Sequence, residues 1–272
     1  MKALADSRIV FIGAGNMAEA LVKGLCAAGV PPGHLVVTDV RAERLTYFQS
    51  TFGVAGSADN AAAVRGADAV VLAVKPQQFG DILPALREAT AHALFISIAA
   101  GVTTARIEQA LGGGARVVRV MPNTPALVGA GVSALCAGAA AAAGDLDFAE
   151  ALLRAVGTTV RVPEAQMDAV TAVSGSGPAY VFRVMEAMEA AALELGLAPP
   201  VARELVLATV AGAGQLAVQS GRPPAALREQ VTSKGGTTEA ALKVLEARDL
   251  AGAFSEAMQA AARRARELAG GA

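Results

Sequence analysis

The apolar run Val10-Phe11-Ile12 leads into Gly13-Ala14-Gly15-Asn16-Met17-Ala18, a Gly-x-Gly-x-x-Ala turn entering a helical pattern. A helix starting there offers unpaired N–H groups and a partial positive charge, which suits a pyrophosphate. Gly13 permits the tight turn, Gly15 lets backbone approach the phosphates, and Ala18 allows close packing of helix on strand. Asp39 follows Ala18 by about 20 residues, at the end of a second apolar run, where a carboxylate can bind ribose hydroxyls and repel a 2′-phosphate. Arg41 and Arg44 come next and offer the opposite preference, a cation for that phosphate, so NADH and NADPH both stay open. Two more loops end apolar runs: Ala73-Val74-Lys75-Pro76 and Ile98-Ala99-Ala100-Gly101. Ligands of an open parallel sheet bind beyond the carboxyl ends of its strands, so both loops should line the same cleft.

A second set of small and polar residues lies further along. Met121-Pro122-Asn123-Thr124-Pro125 ends another run, Val173-Ser174-Gly175-Ser176-Gly177-Pro178-Ala179-Tyr180 interrupts a helical region, and Thr232-Ser233-Lys234-Gly235-Gly236-Thr237-Thr238 precedes a helix. The last suits an anion: adjacent glycines with positive φ can turn N–H groups inward, and Thr237 or Thr238 can cap the helix that follows.

The elements that must hold these residues fall into two halves. Apolar runs at 8–12, 35–38, 69–74, 94–98 and 116–120 alternate with helical patterns such as 16–28 and 42–51. That alternation predicts an α/β fold, a doubly wound parallel sheet covered by helices on both faces. Segments 131–136 and 158–161 read as edge strands, with a helix over 145–156 between them. Beyond about residue 164 strand patterns stop, and helices are expected at 165–195, 200–220, 224–231, 238–246 and 250–268. The predicted domains are therefore 1–163, dinucleotide-binding, and 164–272, helical. Gly196 and Gly221 suit helix ends, and the Pro pairs at 199–200 and 223–224 suit helix starts.

Composition narrows the function. Of 272 residues, 54% are hydrophobic and 17% charged, which excludes a disordered chain. A net charge of −1 speaks against nucleic acid, which calls for a basic surface. Cys26 and Cys136 have no metal or redox spacing, His34 and His92 stand alone, and no metal site is expected. An acidic residue, Asp6, arrives before any signal-like apolar stretch, so a cytoplasmic protein is expected. The uncharged stretches 120–144 and 205–221 carry Pro, Gly, Asn or Gln and read as buried segments rather than membrane spans. The second is too oily to face water, so the helical half is expected to form a dimer, and dimers to assemble further.

The combination MPNTPA, AVSGSGPAYVF and VTSKGGTTEAAL, behind a Gly-x-Gly-x-x-Ala strand and an AVKP loop, resembles the Δ1-pyrroline-5-carboxylate reductase family over about residues 8–268. The resemblance implies reduction of a cyclic imine carboxylate to L-proline by NADPH or NADH. It also implies a Rossmann domain followed by a helical domain that interlocks with a partner subunit. By position, Gly13 to Ala18, Asn60, Ala73 to Pro76 and Ala99 to Gly101 should contact the cofactor. Asp39, Arg41 and Asn123 belong to the same set. Ser233, Gly235, Gly236, Thr237 and Thr238, with Val231 and Ser176, should hold the substrate, and Thr238 should lie near the ring nitrogen. The family's loop usually reads Ser-Pro-Gly-Gly, where this chain has Lys234 for the proline; the family often has Asn where this chain has Asp39.

The chemistry agrees with the residues present. A protonated imine accepts hydride directly, so orientation matters more than a strong acid or base. A β-hydroxyacid dehydrogenase shares this two-part layout but uses a lysine on the interdomain helix, and there is no lysine between Lys75 and Lys234. A dinucleotide sensor without catalysis would have no use for the second anion loop.

Overall fold

A computed structural model describes residues 2–87 and 92–271. The chain divides into two compact units, Met1–Ser176 with Ala260–Ala272, and Gly177–Gln259.

The first unit is built on an eight-stranded sheet: β1 (Ile9–Ile12), β2 (Leu35–Thr38), β3 (Ala55–Ser57), β4 (Ala69–Leu72), β5 (Leu94–Ser97), β6 (Arg116–Met121), β7 (Gly131–Ala137) and β8 (Gly157–Arg161). The order is β3-β2-β1-β4-β5-β6-β7-β8. β1 pairs with both β2 and β4 in parallel, Ile9 opposite Leu35 and Ala69. Side chains alternate across the sheet. Ile9 and Phe11 enter one apolar layer and Val10 and Ile12 the other. Helices α1 (Asn16–Ala27), α2 (Ala42–Phe52) and α6 (Ala143–Arg154) cover the first face through Leu21, Phe48 and Phe148. Helices α3 (Asn60–Val64), α4 (Phe79–Ala85) and α5 (Thr104–Ala110) cover the second through Val64, Leu83 and Ile107. Burial on both faces is why β1, β2, β4, β5 and β6 read as nearly unbroken apolar runs.

Three sequence expectations change. β3 was not anticipated: Ala-Gly-Ser has no β-branched or aromatic residue, and its edge position leaves it partly exposed. β7, read as an edge strand, lies between β6 and the true edge strand β8; it runs antiparallel to β6, with Met121 opposite Ala134, and β8 is parallel to β7, so the sheet is mixed at one end. The helical region expected over 165–195, with an interruption at 173–180, breaks slightly earlier than that stretch. After α7 (Met167–Val170) the chain makes a π-turn, Thr171–Gly175, closed by the Ser176 N–H donating to the Thr171 carbonyl at 2.8 Å, before α8 (Gly177–Glu194) begins. Pro178 cannot donate to a continuing helical ladder, and a Cβ on Gly175 would run into the Met121 side chain.

A nearly enclosed arginine inside this unit has two acidic partners. Arg119 on β6, only 5% exposed in its side chain, reaches Glu164 at 3.2 Å and Asp168 at 4.0 Å. Glu164 also accepts the N–H and O–H of Thr104 at 2.8 and 2.7 Å.

Within the second unit, α8 packs on α9 (Pro199–Ser220), followed by α10 (Pro224–Gln230) and α11 (Thr237–Ala247). α12 (Leu250–Gly271) begins in this unit, and Phe254 meets Tyr180 edge-on. Gly196 and Gly221 follow α8 and α9 as expected. Only Ala202 and Val206 of α9 are buried, while Leu205, Leu216 and Val218 are 53%, 53% and 84% exposed. By length and composition α9 is apolar enough to cross a membrane, which corrects the expectation that its glutamines and glycines exclude that. The reading of this segment as buried is likewise corrected within one chain.

Candidate active site

A cleft of about 450 Å³ opens at the carboxyl ends of β1, β2 and β4. It brings together Gly13, Gly15, Asp39, Arg41, Asn60, Ala73, Val74 and Lys75 from the expected set, with Thr38, Val40, Ala58, Gln78 and Ile82 in addition. Gly13 has φ +101°, and a Cβ there would stand 2.7 Å from the Ala73 carbonyl oxygen. The glycine turn therefore lies directly against the loop after β4. Gly15 differs: no atom lies within 4 Å of where its Cβ would point, so open cleft lies over its backbone. Ala14 and Ala18 are fully buried beneath the turn, and Asn16 and Met17 open α1.

Asp39 ties the cleft together. The Ala14 N–H donates to its Oδ2 at 3.0 Å, and Arg41 donates its backbone N–H and Nε to Oδ1, each at 3.0 Å. Burial pushes the Asp39 carboxyl up, but the hydrogen bonds from Arg41 and Ala14 outweigh it and hold the pKa at about 2. Arg44 is not free for a phosphate. Its Nε donates to the Ala14 carbonyl at 2.7 Å, its other arm binds Glu19 at 2.8 Å, and its guanidinium lies 5.0 Å from the Tyr47 ring centre. It braces the glycine turn from outside the cleft.

Asn60 accepts from the Thr38 hydroxyl, which leaves its NH₂ as a donor beside the cleft. Pro76 opens a short turn in which Gln78 accepts the Lys75 N–H at 3.2 Å. Gln78 was missed by sequence reading, although it follows Pro76 in the same loop. Ala99, Ala100 and Gly101 follow β5 but do not line the cleft. Asn123 also stands outside it, contrary to expectation. Its Oδ1 accepts the Val132 N–H at 3.0 Å and its Nδ2 donates to the Ser174 carbonyl at 3.2 Å. The side chain is thus committed to joining β7 to the π-turn. Ser176 closes that turn.

In the second unit, Val231, Ser233, Gly235, Gly236, Thr237 and Thr238 form one loop and the start of α11. The details differ from expectation. Gly235 has φ +74°, but Gly236 is extended at φ −85° and is itself the N-cap of α11. Neither Thr237 nor Thr238 caps the helix, because both already lie inside its first turn. The Gly236 N–H donates to the Ser233 carbonyl at 3.0 Å. The Gly235 N–H donates to Glu239, and this bond, with Lys243, holds the Glu239 carboxyl below its ordinary pKa against a smaller effect of burial. The first-turn N–H groups of Thr237 and Thr238 have no acceptor within the helix.

A pyrroline-5-carboxylate reductase from Pseudomonas aeruginosa is 46% identical to this chain over 268 residues, 98% of each. The chain belongs to the pyrroline-5-carboxylate reductase family. The pyrroline-5-carboxylate reductase of Methanosarcina acetivorans is 43% identical over 97% of this chain and 98% of its own. Residues 164–268 match the family model described as pyrroline-5-carboxylate reductase dimerisation, and 8–101 match NADP oxidoreductase, coenzyme F420-dependent. A solved pyrroline-5-carboxylate reductase from Coxiella burnetii superposes with a TM-score of 0.92 at 44% identity, covering 96% of this chain and 98% of that one. The Plasmodium falciparum pyrroline carboxylate reductase, solved with NADP bound, superposes with a TM-score of 0.87 at 28% identity, covering 97% and 99%. Members of the pyrroline-5-carboxylate reductase family thus share both the Rossmann-like sheet and the helical C-terminal segment seen here.

Proposed function

We propose that this chain reduces the cyclic imine 1-pyrroline-5-carboxylate to L-proline with NADPH or NADH, the last step of proline synthesis. The observation that carries the reading is the near full-length identity to reductases of this name, at 46% and 43%. The functional division follows residues 1–163 for the dinucleotide and 164–272 for substrate and dimerisation, in agreement with a family match that starts at 164.

The cleft of the first unit fits a dinucleotide. Space over Gly15 and the N-terminus of α1 suit a pyrophosphate, and the Asn60 NH₂ suits a hydroxyl or phosphate oxygen. Ala14, Asn16, Met17 and Ala18 shape that turn, while Ala73 to Pro76 and Ala99 to Gly101 border the strand ends. NADPH or NADH supplies the hydride when bound. Thr237 and Thr238 offer first-turn N–H groups to the substrate carboxylate, with Ser233, Gly235, Gly236 and Val231 around it. The Thr238 hydroxyl orients the ring nitrogen, and the imine carbon takes the hydride while the nitrogen keeps its proton.

The direct test mixes protein, NADPH and the imine and follows loss of nicotinamide absorbance. No turnover with either cofactor, while cofactor still binds, overturns the reading. In the same assay Thr238→Ala should lower kcat/KM about fivefold or more, the worth of one orienting hydrogen bond of about 1 kcal/mol, and leave NADPH affinity unchanged. Equal losses in both would remove Thr238 from the substrate.

Asp39 sets the cofactor balance. Asp39→Ser should raise the ratio of NADPH to NADH efficiency, by removing a carboxylate next to the 2′ position and freeing Arg41. Its acid dependence has a defined sign. A carboxyl lowered from 3.8 to about 2 contributes stability that is present above pH 3.8 and lost as pH falls through 2. Solvent around the half-exposed Arg41 screens the pair and keeps the amount small. Urea titrations at pH 5 and pH 2 should show a larger acid loss in the parent chain than in Asp39→Ser. An unmoved cofactor ratio would place the ribose elsewhere.

The exposed leucines and valines of α9 face a second copy in this reading, not a bilayer, and the enzyme is a cytoplasmic homodimer that assembles further. No nucleic acid takes part. Sedimentation at micromolar concentration should give a dimer or a multiple of it; an active 27.2 kDa monomer would refute the assembly.

A further inference from the structure

We infer that Glu239 is an exchangeable internal carboxylate that competes with the substrate's carboxylate for the 233–238 loop. The inference rests on the reading of that loop as the substrate site. The Gly235 N–H sits at the loop's left-handed residue, φ +74°, and it is occupied by Glu239 Oε2. The other oxygen of the same side chain, Oε1, lies 3.1 Å from Lys243 Nζ. Glu239 therefore bridges two sites, one on the loop and one a helical turn further along α11. A carboxylate on a glycine N–H beside a helix start is the interaction a small carboxylate ligand would make there.

Release from the loop does not leave Glu239 uncompensated. Lys243 follows it at i+4 on the same helix face and can keep it. Room for the released side chain exists: Glu239 borders a hollow of about 240 Å³ lined also by Arg228, Glu229, Thr232, Leu242, Lys243 and Glu246. A third of the Glu239 side chain is already exposed. A ligand that brings its own carboxylate displaces Glu239 onto Lys243. Product L-proline carries the same carboxylate, so Glu239 also speeds its departure.

A mere loop brace predicts the opposite sign, which makes the experiment decisive. Glu239→Ala and Glu239→Gln should each lower KM for the imine at least threefold and tighten L-proline binding, measured calorimetrically with NADP⁺ present, by a similar factor. NADPH affinity should not move. Lys243→Ala should raise KM, because Glu239 then stays on the loop. If both Glu239 variants raise KM or leave it unchanged while still melting cooperatively, Glu239 only braces the loop and the inference is wrong. If Glu239→Ala unfolds, the Glu239→Gln result decides alone. A parent protein that neither reduces the imine nor binds L-proline overturns the functional reading instead, before any variant is compared.

Discussion

Gly13→Ala is expected to lose both stability and dinucleotide affinity, and Gly15→Ala the affinity alone. At φ +101° any side chain is strained by about 1–3 kcal/mol, and the added Cβ meets the Ala73 carbonyl oxygen at 2.7 Å and Val74 Cγ1 at 2.8 Å. The contact is with backbone, so the loop after β4 must move. A total near 3 kcal/mol should lower Tm by about 10 °C and weaken NADPH binding about 100-fold. Gly15 has φ −79° and ψ −177°, which alanine adopts freely, and its Cβ would touch nothing. Its variant should melt within about 2 °C of the parent, yet a methyl over the turn keeps phosphates away, again at about 100-fold. Fluorescence titration with NADPH and thermal melts separate the two. Equal Tm losses, or parent-like binding by Gly15→Ala, would mean that the phosphates do not cross this turn.

Glu164→Gln should destabilise the chain by about 3 kcal/mol. Arg119 is almost completely enclosed, and Glu164 is its nearer counter-charge; Asp168, at 4.0 Å, is left to carry it alone. Removing one partner of a fully buried pair costs about 3–5 kcal/mol; Asp168 and the water access of Glu164 put this change at the lower end. Arg119→Met should cost less, since Glu164 and Asp168 keep partial access to water and the thioether stem fills similar volume. Urea midpoints test the order. If Arg119→Met is the more damaging, the arginine contributes by packing and not by pairing.

Much of this was legible in the residues. Apolar runs of four to six residues between helical patterns located β1, β2, β4, β5 and β6, because burial on both faces leaves a continuous signal. β3 carried none, being three small residues at an edge. The reversal at β7 was hidden, since an apolar strand reads the same in either direction. The Arg119 pairing was hidden as well: Arg119 sits among valines in β6, and Glu164 lies 45 positions away with nothing local to link them. In the cleft, glycine spacing announced the turn and Asp39 the strand end. The division of labour between Arg41 and Arg44 needed coordinates, because both are cations near one carboxylate and only their partners distinguish them. The 233–238 loop was recognisable by composition, but which glycine turns left-handed and which N–H is already occupied depended on Glu239, outside the motif as first read.

The bare face of α9 has a consequence in mass action. Where burial of one chain's leucines waits on a second chain, folding is second order in protomer at its last step. Each tenfold dilution then removes about 1.4 kcal/mol from the folded dimer. A melting temperature for this enzyme is therefore defined only together with its concentration. With α9 as the proposed dimer face, a newly made chain carries this oily helix uncovered until it meets a twin, so its rate of synthesis governs how long it stays vulnerable.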